Sequence, residues 1–340
     1  MAMKIITELK KKDLLGKKVL VRVDFNVPIK NGRIIDDFRI QQSLPTIKYL
    51  LKNGAKVILM SHLGSDGSAS LTPVARYLKK NLAQSVELLG NLRSDLGEQE
   101  NDSEFAKQLA SRADLYVNDA FSVSHRAHAS VVGVPKYLPS YIGLLFAKEF
   151  QNLSLALKPK GKMVVILGGL KFQTKIPLIK KFLKTADQIF IGGALANSFM
   201  KALGCDIGAS IADGDVDYIK PFLKNKKILL PVDVIKNQKN QIVDIGPEAL
   251  KQIEQMIKGA KLIVWNGPMG WFETGAKKGT LETARIIARA KGKSIVGGGD
   301  TLSAIEELKL LKNFTFVSTA GGAMLDFLAT GTLPGIKALK

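Results

Sequence analysis

The feature that most constrains this chain is an alternation. From about residue 18 to residue 318, short runs rich in Val, Ile and Leu take turns with longer stretches of helical spacing. The runs at 18–24, 56–61, 115–118, 163–167, 188–191, 227–230, 262–265, 294–296 and 314–318 read as strands. Between them, residues 39–53 carry Ile40, Leu44, Ile47, Leu50 and Leu51 at helical spacing and stop at Gly54. Thr72-Pro73 reads as an N-cap and first helical residue of a helix through Leu82, and Asp102 as the cap of a helix over 102–113. Parallel strands need a crossover of helix length, so this alternation predicts an α/β fold of mainly parallel sheets. The amphipathic stretch 143–157 is expected to connect two halves, with 158–162 (KPKGK) as the boundary. Residues 234–241 (VIKNQKNQ) are polar and read as an exposed loop.

In open α/β sheets, ligands sit beyond the carboxyl ends of the strands. After its strands the first half offers Asp24-Phe25-Asn26, Ser61-His62-Leu63-Gly64 and Asn118-Asp119-Ala120-Phe121. The second half offers Gly168-Gly169, Gly192-Gly193, Asn266-Gly267-Pro268, the run Gly297-Gly298-Gly299-Asp300-Thr301, and Ser318-Thr319-Ala320-Gly321-Gly322. The first set is side-chain chemistry. The second is glycine loops, where backbone N–H groups can approach phosphate. This division predicts one half for an acidic small substrate and one for a nucleotide. In 293–302 (KSIVGGGDTL), Asp300 adds a hard carboxylate suited to Mg²⁺, although a tight turn with an Asp helix cap reads equally well from that stretch alone. Arg39, Arg93 and Arg126 lie close to strand ends, and arginine's planar fork suits phosphate and carboxylate.

Other classes are disfavoured. There is no GxxxxGK[ST], no GxGxxG opening a helix after the first strand, and no HRD or DFG signature. His125 and His128 have no cysteine nearby to complete a zinc site. The formal charge of +20 admits a nucleic-acid binder, but the lysines are scattered and no recognition module appears. The single cysteine, Cys205, excludes an internal disulfide framework and reads as a buried or half-buried thiol. With 46% apolar residues, no bilayer-length run and no secretory signal, the expectation is a cytoplasmic protein with a sizeable core.

Taken in order, VRVDFNVP (21–28 from Val21), SHLG (61–64), VNDAF and HRAHAS (117–130), WNGPMG (265–270), VGGGDT (296–301) and LPG (333–335) resemble the phosphoglycerate kinases over nearly the whole chain. The resemblance implies two doubly wound parallel-sheet domains facing across a cleft and joined by a helix. It implies a phosphoglycerate-binding domain over 1–157, with a tail at about 327–340 packing back on it, and a nucleotide-binding domain over 158–326. It implies reversible transfer of the acyl phosphate of 1,3-bisphosphoglycerate to ADP, giving 3-phosphoglycerate and ATP, with Mg²⁺ on the nucleotide. The partners would be these small molecules, with no nucleic acid and no membrane, and the enzyme would be a monomer. By position, Asp24, Phe25, Asn26, Arg39, His62, Leu63, Gly64, Ser65, Arg93 and Arg126 correspond to the substrate pocket. Arg39, Lys171 and Lys175 would neutralise charge during transfer. Lys175, Gly192, Gly193, Asn266, Pro268, Glu273, Gly298, Gly299, Asp300, Thr301, Gly321 and Gly322 would hold the nucleotide, with Asp300 towards the metal. A relative that binds nucleotide but has lost the transfer is the alternative. The departures that keep it open are Ser65, where the family has arginine, and Ala320, where it has glycine. Residues 82–92 are too few for the extra strand and helix the family carries there, and a trimmed sheet edge would favour self-association.

Overall fold

The computed structural model describes residues 3–170, 172–213 and 216–340. Its contacts divide the chain into two units. One runs to Gln151 and regains Thr332–Lys340; the other is Asn152–Gly331. The division falls inside the helix Leu144–Leu157.

The first unit is built on β1 (Lys18–Arg22), β4 (Lys56–Met60), β5 (Glu87–Leu88), β6 (Leu115–Asn118) and β7 (Ser140–Ile142), with a small hairpin of β2 (Ile29–Lys30) and β3 (Arg33–Ile34). The five-stranded sheet has the order β5-β4-β1-β6-β7, and every pairing in it is parallel. Val19, Leu20 and Val21 of β1 are all buried, as a strand covered on both faces requires. Its core also takes Ile40, Ile47 and Leu50 from the helix Phe38–Lys52 and Val74 and Leu78 from the helix Thr72–Asn81. In the latter, Thr72 is already helical and Leu71 is the cap, so the side-chain cap expected of Thr72 is not made. Asp102 does cap the helix Ser103–Ala110, accepting from Phe105 N.

The second unit has β8 (Met163–Leu167), β9 (Gln188–Ile191), β10 (Ile228–Leu229), β11 (Val234–Lys236), β12 (Ile242–Ile245), β13 (Leu262–Asn266), β14 (Lys293–Gly297) and β15 (Phe316–Val317). Six of them form a parallel sheet in the order β10-β9-β8-β13-β14-β15. All five residues of β8 and of β13 are buried. Residues 234–241 are not simply a loop: β11 and β12 pair as an antiparallel hairpin. Polarity misled there, because β11 is itself largely exposed, Ile235 and Lys236 facing solvent like the connecting residues 237–240. Asp233, just before β11, accepts from Glu248 N and Ala249 N and so caps the helix Pro247–Ile257 from a distance. Cys205 is exposed rather than buried, because the helix Gly193–Ala202 ends at Leu203 and the chain turns outward at Gly204.

In each unit the chain starts at a central strand, winds one way, then returns and winds the other. The sheet order therefore reverses between β1 and β6 in the first unit and between β8 and β13 in the second. Those two points are where a doubly wound sheet opens a crevice beyond its strand ends.

Candidate functional site

At the first crevice, the loops after β1 and β6 touch. Ser122 Oγ donates to Asp24 Oδ2 at 2.5 Å, and Arg39, from the helix Phe38–Lys52, donates to the same oxygen at 2.5 Å. Asp24 is 5% exposed. Burial alone would raise its pKa. The Arg39 guanidinium and the hydrogen bonds from the Ser122 hydroxyl and the Asn26 amide act together against burial, and the carboxyl lies below its ordinary range. Asn26 N donates to Asp24 Oδ1, while Asn26 Oδ1 accepts from Gly64 N and so ties the loop after β4 to the loop after β1.

His62 is 3% exposed, with Nδ1 3.3 Å from an Arg22 nitrogen. Burial and the Arg22 charge push its pKa down to about 3, so the ring is neutral near pH 7. Its 3.9 Å approach to Asp24 is therefore not an ion pair. Arg93 is 7% exposed; one terminal nitrogen donates to Gly64 O at 2.5 Å, and its Nε is buried with no partner among the described residues. A buried donor left open beside other donors is what an anion site offers. Arg126 is exposed on the loop after β6, and its charge acts on His62.

Phe25 and Leu63 put their side chains into the core of the first unit, and they meet the crevice through backbone: Phe25 N donates to Ser61 Oγ, and Leu63 N donates to Asn91 Oδ1. Ser65 is exposed. Asp66, beside it, is spent on Ser68, accepting from its N–H and hydroxyl. No role follows from the sequence for Arg22, Ser122, Asn91 or Glu98, although Arg22 and Ser122 fall within motif-bearing stretches. Buried polar residues of this kind carry no local signal, since each acts through a partner distant in the chain.

At the second crevice, backbone replaces side chains. The loops after β8, β9 and β13 are packed on one another. Gly169 N donates to Pro268 O, Gly193 N to Met269 O, and Gly168 N to Asn266 O. A Cβ on Gly168 would sit 2.0 Å from Pro268 O, and one on Gly193 2.8 Å from both Gly169 N and Pro268 O. The amides of Gly192 and Gly193 are thus committed within the protein. The loops after β14 and β15 differ, because each opens a helix. Gly298 (φ 108°) precedes the helix Gly299–Glu307, and Gly321 (φ 49°) precedes the helix Gly322–Thr330. The first N–H groups of a helix have no intrahelical acceptor and carry partial positive charge. Thr301 is buried, and its Oγ accepts from Gly267 N, while Asn266 Nδ2 donates to Gly297 O, so both residues hold these loops together. Ala320 is 2% exposed and is not among the residues of positive φ, so its methyl group is accommodated without backbone strain.

Beside this crevice lies a cavity of about 160 Å³. Val234, Ile242, Met269 and Phe272 give it apolar walls, Glu273 stands at its edge, and Leu170, Pro268 and Asp300 are at its strand-end side. The hairpin β11–β12 is what brings Val234, Ile242 and Val243 there. Lys175, on the helix Phe172–Thr185, is 7% exposed and donates from Nζ to Leu170 O at 2.6 Å. Burial lowers its pKa to about 8, against the pull of Asp213. Lys171 lies outside the described residues. Among the described residues no group of three or more His, Cys, Asp or Glu side chains is placed to hold a metal ion, and no helix is long and apolar enough to cross a membrane.

The chain matches the family model "Phosphoglycerate kinase" over residues 9–89 and 83–331. It is 44% identical to the phosphoglycerate kinase of Dictyoglomus turgidum, with all of both chains covered, and 42% identical to that of Thermosipho africanus, with 96% of each covered. The first of these alignments spans 394 positions, so the relative carries segments that these 340 residues lack. Among solved structures, the phosphoglycerate kinase of Coxiella burnetii superposes with a TM-score of 0.87 at 38% identity over 99% of both chains. That of Pyrococcus horikoshii superposes with a TM-score of 0.86 at 31% identity over 99% of this chain and 98% of its own. Two parallel sheets of this winding, a guanidinium-lined crevice on one, glycine-headed helices on the other, and agreement with these relatives over the whole chain place it in the phosphoglycerate kinase family.

Proposed function

We propose that the two crevices divide the phosphoglycerate kinase reaction between them: the first unit binds the three-carbon phosphoglycerate, and the second binds the adenine nucleotide with its Mg²⁺. What carries the first assignment is the Asp24–Arg39 pair set beside neutral His62 and the open donor of Arg93. Asp24 fixes Arg39 by one oxygen and leaves the rest of its fork for a substrate anion. What supports the second is a cavity with apolar walls for a base, with Glu273 at its edge for a ribose and the amides at Gly298–Asp300 and Gly321-Gly322 for phosphates. Asp300 is a single half-buried carboxylate. It fits a magnesium ion that arrives on the nucleotide and keeps its other oxygen ligands, rather than a preformed protein cage. When bound, the ion would neutralise phosphate charge.

The acceptor oxygen of the reverse reaction is a carboxylate, already ionised at neutral pH, so no general base is needed. The protein's work is to align two anions and stabilise charge on the phosphoryl oxygens. Arg39 does this from the substrate side, with Lys175 and Lys171 on the nucleotide side. Of the groups proposed to face the substrates, Asp24 is ionised and His62 neutral near pH 7, while burial brings Lys175 down to about 8. We place the reaction in the cytoplasm, where both substrates are made, with the enzyme acting as a monomer on small molecules and on no nucleic acid or membrane. A coupled assay following ATP formation from 1,3-bisphosphoglycerate tests the proposal. Turnover that requires both substrates and Mg²⁺, and that saturates in each, is expected. Nucleotide binding with no phosphoryl transfer would overturn it.

A further inference from the structure

Behind His62 lies a set of buried polar residues that the proposed mechanism does not use. Arg22, the last residue of β1, is 1% exposed. Its Nε donates to Ser130 Oγ at 2.9 Å, one terminal nitrogen donates to Val23 O, and the other lies 3.3 Å from His62 Nδ1. Ser130 Oγ in turn donates to Glu98 Oε1 at 2.6 Å, and Ser130 N donates to Glu98 Oε2 at 2.9 Å. Tyr116 closes the set, its hydroxyl donating to Ser130 O at 2.8 Å. Glu98, Ser130 and Tyr116 are each fully buried. His128 Nδ1 stands 3.7 Å from Glu98 Oε1.

The proton count in this set has one solution. Glu98 stays ionised: burial opposes its charge, but His128, Arg22 and Ser130 together bring its pKa below the ordinary value. An ionised carboxylate only accepts, so the single Ser130 hydroxyl proton points at Glu98. That leaves a Ser130 lone pair for Arg22 Nε–H. Arginine has donors and no acceptor, so His62 Nδ1 must accept, and the imidazole carries its proton on Nε2. Each link fixes the next, and the first link is a carboxylate that lies in none of the strand-end loops.

We infer that Glu98 is a positioning residue for phosphoglycerate: through Ser130 it locks the Arg22 guanidinium, and the locked guanidinium holds His62 as a neutral Nε2–H donor. The inference rests on the proposal above that His62 contacts phosphoglycerate. Glu98 also feels the charge of the buried Arg22 and meets it through Ser130, so removing its charge frees both the guanidinium orientation and the hydroxyl that reads it.

The test uses the full chain, labelled with ¹⁵N at histidine, and follows His62 by long-range ¹H–¹⁵N correlation in the parent, in Glu98→Gln and in Ser130→Ala. Steady-state KM values for 3-phosphoglycerate and ATP are measured on the same samples. The parent should show the Nε2–H tautomer alone. Glu98→Gln should show mixed tautomers and a KM for 3-phosphoglycerate raised about tenfold, as for one misplaced hydrogen bond to a charged group, with the KM for ATP unmoved. Should Glu98→Gln fail to fold, Ser130→Ala decides, since it keeps the Glu98 charge and removes the hydroxyl; it should give the same two changes. A pure Nε2–H tautomer in the folded variant overturns the inference, as does a rise of both KM values together. His62→Ala separates the two readings. If it leaves the KM for 3-phosphoglycerate unchanged, the substrate role of His62 fails. If it raises that KM while Glu98→Gln and Ser130→Ala change nothing, the role of Glu98 fails.

Discussion

The strand-end crevice of the first unit is made of side chains, and that of the second is made of backbone. In the first, each charge is held by another group: Asp24 by Arg39 and Ser122, and Arg22 by Ser130 in front of Glu98. In the second, Gly168, Gly169 and Gly193 pack so closely that their amides are spent on neighbouring carbonyls, while the loops at Gly298 and Gly321 each head a helix. The lesson is that the two crevices proposed to hold anions should fail differently. One fails when a charge loses its partner, and the other when a Cβ is added.

The largest effect should come from the first crevice. Arg39→Met removes the guanidinium and leaves Asp24 buried without its main partner. We expect kcat/KM for 3-phosphoglycerate to fall about a thousandfold while the KM for ATP stays put. A KM for ATP that rose as much as the KM for 3-phosphoglycerate would break the division.

Asp119 sharpens the comparison, because it is the one carboxyl of this crevice that lacks a cation. It is fully buried after β6, with Oδ1 accepting from Leu145 N and Phe146 N at the head of the helix Leu144–Leu157 and Oδ2 without a partner among the described residues. Burial raises its pKa to about 7, against the hydrogen bonds its carboxyl accepts. The folded state therefore holds a proton that the unfolded state releases above about pH 4, and stability falls as pH rises from there to about 7. Asp119→Asn should remove that fall. Denaturant melts should show little difference at pH 4, and at pH 8 a gain approaching roughly 4 kcal/mol, the equivalent of about three pH units. A parent whose stability climbs from pH 4 to pH 7 would contradict this.

Gly168→Ala is the matching break in the second unit. Its Cβ meets Pro268 O at 2.0 Å, so the loops after β8 and β13 must separate. A destabilisation of about 3 kcal/mol and a raised KM for ATP are expected, with the KM for 3-phosphoglycerate unchanged in the folded fraction. The smallest effect is Ser65→Arg. Ser65 is exposed next to Gly64, whose carbonyl binds Arg93. An added guanidinium there should lower the KM for 3-phosphoglycerate a few-fold, and an unchanged KM would show that the family's arginine is not missed.

The sequence revealed the fold wherever the signal is local. Runs such as 163–167 and 262–265 are apolar throughout because both sheet faces are covered, and they became β8 and β13. Short strands were lost. Neither β5 nor β7 has enough residues to show a period, and β5 pairs with β4 only through Ile58 and Leu59. The hairpin β2–β3 had a legible signal that went unread: Asn31 and Gly32 both take positive φ, as a two-residue turn of this dipeptide requires. Of the site, the residues in strand-end loops were legible because the sheet's winding places them. The walls of the cavity were not, because Val234 and Ile242 reach it only through a hairpin whose connecting residues look like solvent-exposed loop. Glu98 was invisible for a related reason. Its meaning lies in Ser130 and Arg22, and nothing near it in the chain refers to either.

Amide ¹H–¹⁵N spectra of the labelled protein, titrated with 3-phosphoglycerate alone and then with Mg·ADP alone, test the division of labour most directly. The account predicts that 3-phosphoglycerate shifts the amides of Asn26, Gly64 and Ser122, and that Mg·ADP shifts those of Gly299, Asp300 and Gly322. If 3-phosphoglycerate moved the glycine-loop amides and left Asn26 and Gly64 in place, the assignment of the two crevices would be wrong.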